Sequence, residues 1–212
     1  MDRFVTAWTA AVALALAASA GAETWKPEPL QREREIAAAL AAGPAHFREQ
    51  AGVYVLGEGG FELARESRNG FHCLVERSHR GAFEPQCFDQ EGSRTLMQAV
   101  LMRAELRAAG ADDETIRRAV AAGWAEGRLR APSRPGINYM LSPENRVPID
   151  REGTRIIPYR PHLMFYVPYL TNADLGSDGG PDSTVFVIHE GLPGAYAIVP
   201  VPAEPAGHGE AH

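Results

Sequence analysis

The chain has 212 residues, of which 45% are apolar and 23% are charged. This is a globular composition, which excludes a wholly disordered chain, a collagen-like fibre and a disulfide-dense miniprotein. The formal net charge is −6 and the sequence pI is about 5.7, without the basic excess of a nucleic-acid carrier. We therefore expect room for one ordinary domain or two small ones, and no nucleic-acid partner.

The N-terminal segment predicts a signal peptide. Ala, Val and Leu dominate the run Phe4–Ala18, and small residues follow it. Ala20–Ala22 fits the small-x-small pattern that signal peptidase accepts, so we expect cleavage before Glu23. The alternative is an uncleaved anchor, but the run is shorter than the ~20 residues that a bilayer requires. No later stretch could span a membrane, and the sequence therefore predicts a periplasmic or secreted protein.

Export determines how the two cysteines, Cys73 and Cys87, are interpreted. An even pair in an oxidising compartment favours a disulfide bond. A loop of this size would stabilise the fold by roughly 3 kcal/mol on the chain-entropy model. The alternative is a reactive or metal-binding pair, but the C-x-x-C spacing of such sites is missing. The sequence therefore predicts a structural Cys73–Cys87 bridge.

The first half of the chain after the signal peptide predicts one helix and three strands. The helix covers residues 32–42, and the glycine and proline that follow would end it. The strands cover 53–56, 61–65 and 71–75, with Asn69-Gly70 as a hairpin turn, and are expected to form an antiparallel meander. In the third strand, Phe71, Cys73 and Val75 share one face. A loop over 78–85 then leads to Cys87.

Two helices are predicted next. Thr95-x-x-Gln98 is typical of a capping box, with Ser93 as the rival cap, and Gly110 would end the first helix. Asp112 or Asp113 would cap the second helix. The short link between them predicts a packed αα-hairpin.

The last part of the chain again predicts strands, over 137–141, 162–167, 184–189 and 195–201. Strands, then helices, then strands indicate an α+β fold, with an N-terminal helix and the αα-hairpin packed against an antiparallel sheet. We expect a signal peptide over 1–22, one domain over 23–201 and a disordered tail over 202–212.

The strand that starts at His162 carries the main candidate for chemistry. His162 would share a face with Tyr166, opposite three apolar residues. If the apolar face packs on the helices, His162 and Tyr166 face a cleft or solvent and could do acid–base work. If the preceding predicted strand pairs with this one, Asn138 would join them as a polar assistant. The alternative is a hydrogen-bonded structural histidine at a strand end.

Two further residues near that strand are candidates for ligand binding. Arg134 could attract an anionic ligand, and Tyr139 follows Asn138 in the same predicted strand. The alternative for Arg134 is a solvated side chain in a Pro-Gly loop.

Metal binding is a second possible chemistry. His72, His162 and His189 each lie in a predicted strand, and three imidazoles would suit zinc or copper. An oxygen-rich loop with Asn172, Asp174, Asp178 and Asp182 could hold calcium, although its pattern excludes an EF-hand and a solvated turn is the alternative. The sequence identifies no cofactor beyond these possibilities.

Three short motifs resemble a group of uncharacterised exported bacterial proteins. They are Asn69-Gly70-Phe71-x-Cys73, Pro161-His162-Leu163-Met164-Phe165 and an ending over residues 194–201. The order of signal peptide, short helix, strands, helices and Pro-His-x-Met strand covers much of the chain. We know of no established activity for that group, so the resemblance implies export and a single domain.

These observations lead to two hypotheses. There is no G-x-S-x-G elbow, P-loop, H-E-x-x-H helix or G-x-G-x-x-G fingerprint. The first hypothesis is therefore an exported, non-catalytic module that binds a small ligand or a cell-envelope partner. The second is a periplasmic enzyme, for example a metal-dependent hydrolase, that uses His162.

Overall fold

The computed structural model describes residues 24–150, 152–180 and 182–201. The predicted signal peptide and tail lie outside these residues. The fold is α+β, as predicted, and is built on an eight-stranded sheet. Its strands are β1 (Gly52–Gly57), β2 (Gly60–Arg65), β3 (His72–Glu76), β4 (Glu84–Phe88), β5 (Ile137–Met140), β8 (His162–Tyr166), β9 (Phe186–Ile188) and β10 (Tyr196–Pro200). A separate hairpin pairs β6 (Arg146–Pro148) with β7 (Ile156–Pro158).

The strands of the large sheet follow the order β2-β1-β3-β4-β5-β8-β10-β9. All neighbours are antiparallel except β1 and β3, which pair in parallel through Gly52–His72 and Val53–Cys73. The predicted meander is therefore wrong in its third strand. Asn69-Gly70 does form a turn, with Gly70 at a φ of 84°, but this turn lies in a crossover that brings β3 to the other side of β1.

β4 is the largest omission from the predicted elements. Its sequence, Glu-Pro-Gln-Cys-Phe, has a proline and two polar residues where alternation would be expected, so the pattern predicts a loop before Cys87. In the structure β4 pairs with both β3 and β5, and Cys73 lies opposite Cys87. The predicted disulfide between these two buried cysteines is present.

Helix α1 (Arg32–Ala41) packs on one face of the sheet, over β1, β3 and β4. Cys73 and Val75 point into this core and Phe71 packs against it, as the alternation predicted. The small residues Ala38 and Ala39 face the sheet, while Glu35 is 1% exposed and forms a two-point ion pair with Arg77. Ion pairing is what makes such a buried carboxylate tolerable.

The other face is covered by three helices, α2 (Gln90–Arg94), α3 (Leu96–Ala108) and α4 (Asp113–Ala125). Thr95 is the N-cap residue of α3, as predicted, but its side chain makes no capping hydrogen bond. Asp89 caps the additional helix α2 through the N–H of Gly92. Asp112 caps α4, and Gly110 ends α3 with a φ of 88°, both as predicted. No helix among the described residues is long and apolar enough to cross a membrane.

Candidate functional site

His162 lies on the opposite face from the one predicted. The buried side chains of β8 are His162, Met164 and Tyr166, whereas Phe165 on the other face is 39% exposed. His162 is 3% exposed, and its Nδ1 donates a hydrogen bond to the carbonyl of Arg160 at 3.0 Å. Burial lowers the pKa of His162 to about 4, so the imidazole is neutral near pH 7. His162 is thus a buried, hydrogen-bonded residue at the start of a strand.

Tyr166 is equally enclosed. Its hydroxyl donates to the carbonyl of Ile137 at 2.7 Å and lies 3.1 Å from an oxygen of Asp89. A Cβ placed on Gly92 would lie 2.0 Å from this hydroxyl, so the surrounding backbone leaves no room for a substrate there. Burial raises the pKa of Tyr166 well above its ordinary value. Tyr166 therefore fixes the α2 N-terminus against β5.

The predicted pairing of the Asn138 and His162 strands is confirmed, with Asn138 opposite Met164. Asn138 is fully buried and its amide nitrogen donates to Gln86 at 2.8 Å, while its Oδ1 has no hydrogen-bond partner. Gln86 in turn donates to Glu76 at 2.8 Å. Asn138 thus belongs to a polar chain that runs across the sheet, and its hydrogen bond goes to Gln86 and not to His162.

That polar chain ends in a carboxyl pair beneath α3. Arg103 donates to Glu76 at 2.9 Å, and Glu84 lies opposite Glu76 in the β3–β4 register. Burial raises the pKa of Glu84 to about 8, and the negative charge of Glu76 acts in the same direction. The backbone N–H of Ser78 donates to Glu84 at 3.1 Å, which opposes this rise. The guanidinium of Arg103 therefore interacts with two facing carboxyl groups, Glu76 directly and Glu84 through its charge.

The predicted ligand-binding residues point away from His162. Tyr139 lies on the α1 face, where its ring contacts Phe47 at a centroid distance of 5.6 Å. The exposed Arg134 lies 3.5 Å from the carboxylate of Glu91. Neither residue joins His162 in a common site.

The predicted metal sites do not form among the residues that the structure describes, because no group of three His, Cys, Asp and Glu side chains could hold an ion. His72 Nδ1 lies 3.1 Å from the Ser93 hydroxyl. In the oxygen-rich loop, Asp174 accepts bonds from Thr171. These carboxylate and imidazole groups serve local turns and packing.

An open depression of about 290 Å³ lies at the start of β8, lined by Arg160, Asp182, Ser183, Thr184, Pro200 and Val201. A second cavity, of about 20 Å³, lies beside Arg103 and has the size of a water molecule. The first is built from the ends of exposed loops and the second is too small for a substrate. Neither is lined by His162, Tyr166 or Asn138, although Asp182 of the oxygen-rich loop borders the first.

The opposite end of β8 carries a surface that sequence reasoning missed. We call residues 167–172 and 189–195 the loop tip. The two loops are tied together by backbone bonds from Tyr169 to Leu192 at 2.9 Å and from Gly191 to Leu170 at 3.0 Å. The side chain of Asn172 extends the tie, because it both donates to and accepts from the backbone of Val187.

The loop tip holds Tyr169 and His189, the two non-glycine residues with positive φ in the described chain, at 67° and 56°. A left-handed conformation costs a bulky side chain on the order of 1–2 kcal/mol. Tyr169 is nevertheless 61% exposed, so burial of its side chain does not compensate for this cost. Leu192, which is bonded to Tyr169 through the backbone, is 55% exposed. Of the six large apolar residues exposed in the described chain, four lie between 165 and 192.

Only part of this surface could have been found from the sequence. The predicted strands 184–189 and 195–201 leave residues 190–194 as their connection, but an exposed leucine in such a connection carries no signal of its own. Pro168-Tyr169 directly after an apolar strand was the available clue, since a proline there ends the strand and places the tyrosine in a loop.

Comparison with known proteins adds no assignment. The chain matches no protein family model, no curated protein and no solved structure. The candidate site therefore rests on the geometry of the loop tip alone.

Proposed function

We propose that this protein is an exported, non-catalytic binding module that engages its partner through the loop tip. The observation that carries the proposal is Tyr169, a bulky residue held at a φ of 67° with 61% of its surface exposed. Strained backbone persists where the surrounding structure holds it, and it concentrates at ligand-binding sites. Tyrosine is also enriched in protein interfaces, because its ring buries a large apolar area while its hydroxyl can form a hydrogen bond.

The export part of the proposal is supported by the disulfide between Cys73 and Cys87, since such bonds persist in oxidising compartments. The predicted signal peptide and the resemblance to exported bacterial proteins point to the same compartment. The cell envelope or the medium is therefore where the partner would be met.

The non-catalytic part is supported by the positions of His162, Tyr166 and Asn138. Each is less than 5% exposed and each is engaged by a protein hydrogen-bond partner. An acid or base must come within hydrogen-bond distance of its substrate. Because these three residues are packed in the core, we assign recognition of a partner to surface residues.

Site-specific photo-cross-linking in cells tests the proposal. A photoreactive amino acid is placed at Tyr169 in the full chain, expressed with its own N-terminal segment. Leu63 on the edge strand β2 is the matched control, since it is an apolar residue of 43% exposure at the other end of the sheet. We expect a discrete adduct from position 169 and none from position 63. Equal labelling at both positions, or an intact Met1 with reduced thiols, would contradict the proposal.

A further inference from the structure

The net negative charge of this protein comes from the C-terminal part of its sequence. Residues 161–212 contain six acidic residues and no Lys or Arg. Residues 1–160 are balanced, with 21 acidic and 21 basic residues. The whole formal charge of −6 therefore belongs to the last quarter of the chain, which includes both halves of the loop tip.

Two of these carboxylates border the loop tip directly. Glu190 accepts a hydrogen bond from the backbone N–H of Asn172 at 2.5 Å, and it is two residues from Leu192. Asp174 accepts from the N–H of Thr171 at 2.8 Å, two residues beyond Tyr169. The apolar anchors and the acidic groups are thus fixed to the same pair of loops.

Among the described residues, neither of these two carboxylates forms an ion pair with an arginine. Arg160 precedes β8, whereas Tyr169 follows it, so the two lie at opposite ends of the strand. Burial lowers the pKa of His189 and the positive charge of Arg103 acts in the same direction, but this guanidinium is paired with Glu76 at 2.8 Å. Arg134 lies at the same end of the sheet but is paired with Glu91 at 3.5 Å. The loop tip therefore presents apolar side chains beside two carboxylates that have no cationic partner in the part of the chain that the structure describes.

We propose that the loop tip docks a cationic polypeptide segment, in which basic residues alternate with apolar ones. The inference rests on the proposed function and names the class of partner. Tyr169 and Leu192 supply the apolar contacts, while Asp174 and Glu190 attract the basic side chains. Negative charge speeds the approach of a cationic partner and repels anionic ones, which disfavours nucleic acids and anionic lipid surfaces.

Fluorescence anisotropy with defined peptides tests this inference. One labelled peptide alternates Arg and Leu, and its partner carries Glu in place of every Arg. Each is titrated with the purified full chain at about 50 mM and about 500 mM salt, since salt screens charge attraction. We expect the Arg peptide to bind and the Glu peptide not to bind, with at least a tenfold loss of affinity at the higher salt concentration.

Matched variants locate the binding. Tyr169→Gly, in which glycine accepts the positive φ, should weaken binding of the Arg peptide about tenfold, as should Leu192→Ala. Asp174→Asn and Glu190→Gln keep a hydrogen-bond acceptor and should reduce the salt dependence. Leu63→Ala and Glu62→Gln, an exposed pair on β2, should change neither quantity.

The outcomes separate the two proposals. Binding of both peptides alike, or binding that salt leaves unchanged, would overturn the cationic partner. So would salt-sensitive self-association that Glu190→Gln abolishes, because it would assign the loop tip to a second copy of the chain. In either case a cross-link specific to position 169 in cells would still uphold the binding module.

Discussion

The two ends of the sheet differ in how they are covered. Around β3 and β4, α1 packs on one face and α3 lies over the other, and the core includes the Cys73–Cys87 disulfide. Around β8 to β10, an apolar side chain of the sheet, Phe165, remains 39% exposed, and the loops beyond carry backbone strain. The comparison teaches that the stabilising interactions and the candidate binding surface occupy different parts of one fold.

Charge divides the chain in the same way. The first 160 residues hold every Lys and Arg in the protein, and several of these arginines form ion pairs with nearby carboxylates. The remainder holds only acidic side chains among its formal charges. We therefore expect substitutions in the β3–β4 region to change the free energy of unfolding, and those in the loop tip to change binding.

The largest effect is expected from Glu35→Ala. The substitution leaves the Arg77 guanidinium, whose side chain is 7% exposed, without its carboxylate partner. Removing one member of a buried pair costs about 3–5 kcal/mol. Urea denaturation measures the change, with Arg118→Ala as the control, since Arg118 and Glu114 form an exposed pair 3.9 Å apart and should contribute less than about 1 kcal/mol. Equal effects would refute the contrast between buried and exposed pairs.

The next effect is expected from Cys73→Ala combined with Cys87→Ala. The two positions are 14 residues apart, and loss of this bridge should lower the free energy of unfolding by roughly 3 kcal/mol. The main reason is that the unfolded chain gains conformational entropy when the cross-link is absent. Comparison of the variant with the wild type in urea gives the value. A variant as stable as the oxidised wild type would show that the bridge contributes nothing to the fold.

Glu84→Gln should alter how stability depends on pH. The folded pKa of Glu84, about 8, is higher than its ordinary value of 4.5. As the pH rises, Glu84 therefore keeps its proton to a higher pH in the folded state than in the unfolded state. The resulting contribution to the free energy of unfolding is fully present below about pH 4.5 and is lost as the pH rises through about 8. The wild type should lose up to about 1.4 kcal/mol per pH unit from this group in that window.

The measurement for Glu84 is urea denaturation at intervals between about pH 5 and 9. Two charged groups act on this carboxyl, Glu76 on β3 and Arg103 on α3. Both remain in the variant, but Glu76 then lacks its neighbouring carboxyl, so the difference between the two pH curves reports proton uptake by the Glu76–Glu84 pair. Parallel curves for the wild type and Glu84→Gln would exclude the proposed proton uptake.

The smallest effect on stability is expected from Tyr169→Gly. Glycine adopts a positive φ without steric cost, which stabilises the folded state. It also increases the conformational entropy of the unfolded chain, which offsets part of that gain. The variant should be as stable as the wild type or more stable by at most about 1 kcal/mol, while partner binding weakens. Thermal unfolding checks the first part. A loss of more than about 1 kcal/mol would show that Tyr169 supports the fold.

Local patterns predicted much of this fold. Glycines located the ends of α1 and α3, Asp112 located the start of α4, and alternation placed Cys73 and Val75 on one face. The even cysteine count predicted the disulfide. These features depend on neighbours within a few residues, or on the redox compartment, and can therefore be inferred from one sequence.

The errors concern contacts between distant segments. β4 is a strand because β3 and β5 flank it, even though Pro85 and Gln86 interrupt an apolar pattern. His162 and Tyr166 face the core because partners from Arg160 and Ile137 satisfy their polar atoms, so the more apolar face of β8 stays outward. The loop tip was missed for a similar reason, since only the fold brings Tyr169 beside Leu192.

The central claim is that recognition belongs to the loop tip and not to the histidine in the core. Its most direct measurement is the affinity of the partner recovered by cross-linking at position 169, determined for Tyr169→Gly, Leu63→Ala and His162→Gln in parallel. We predict at least about a tenfold loss for Tyr169→Gly and unchanged affinity for the other two, where they fold. Wild-type affinity in Tyr169→Gly, with loss in a folded His162→Gln protein, would contradict the account.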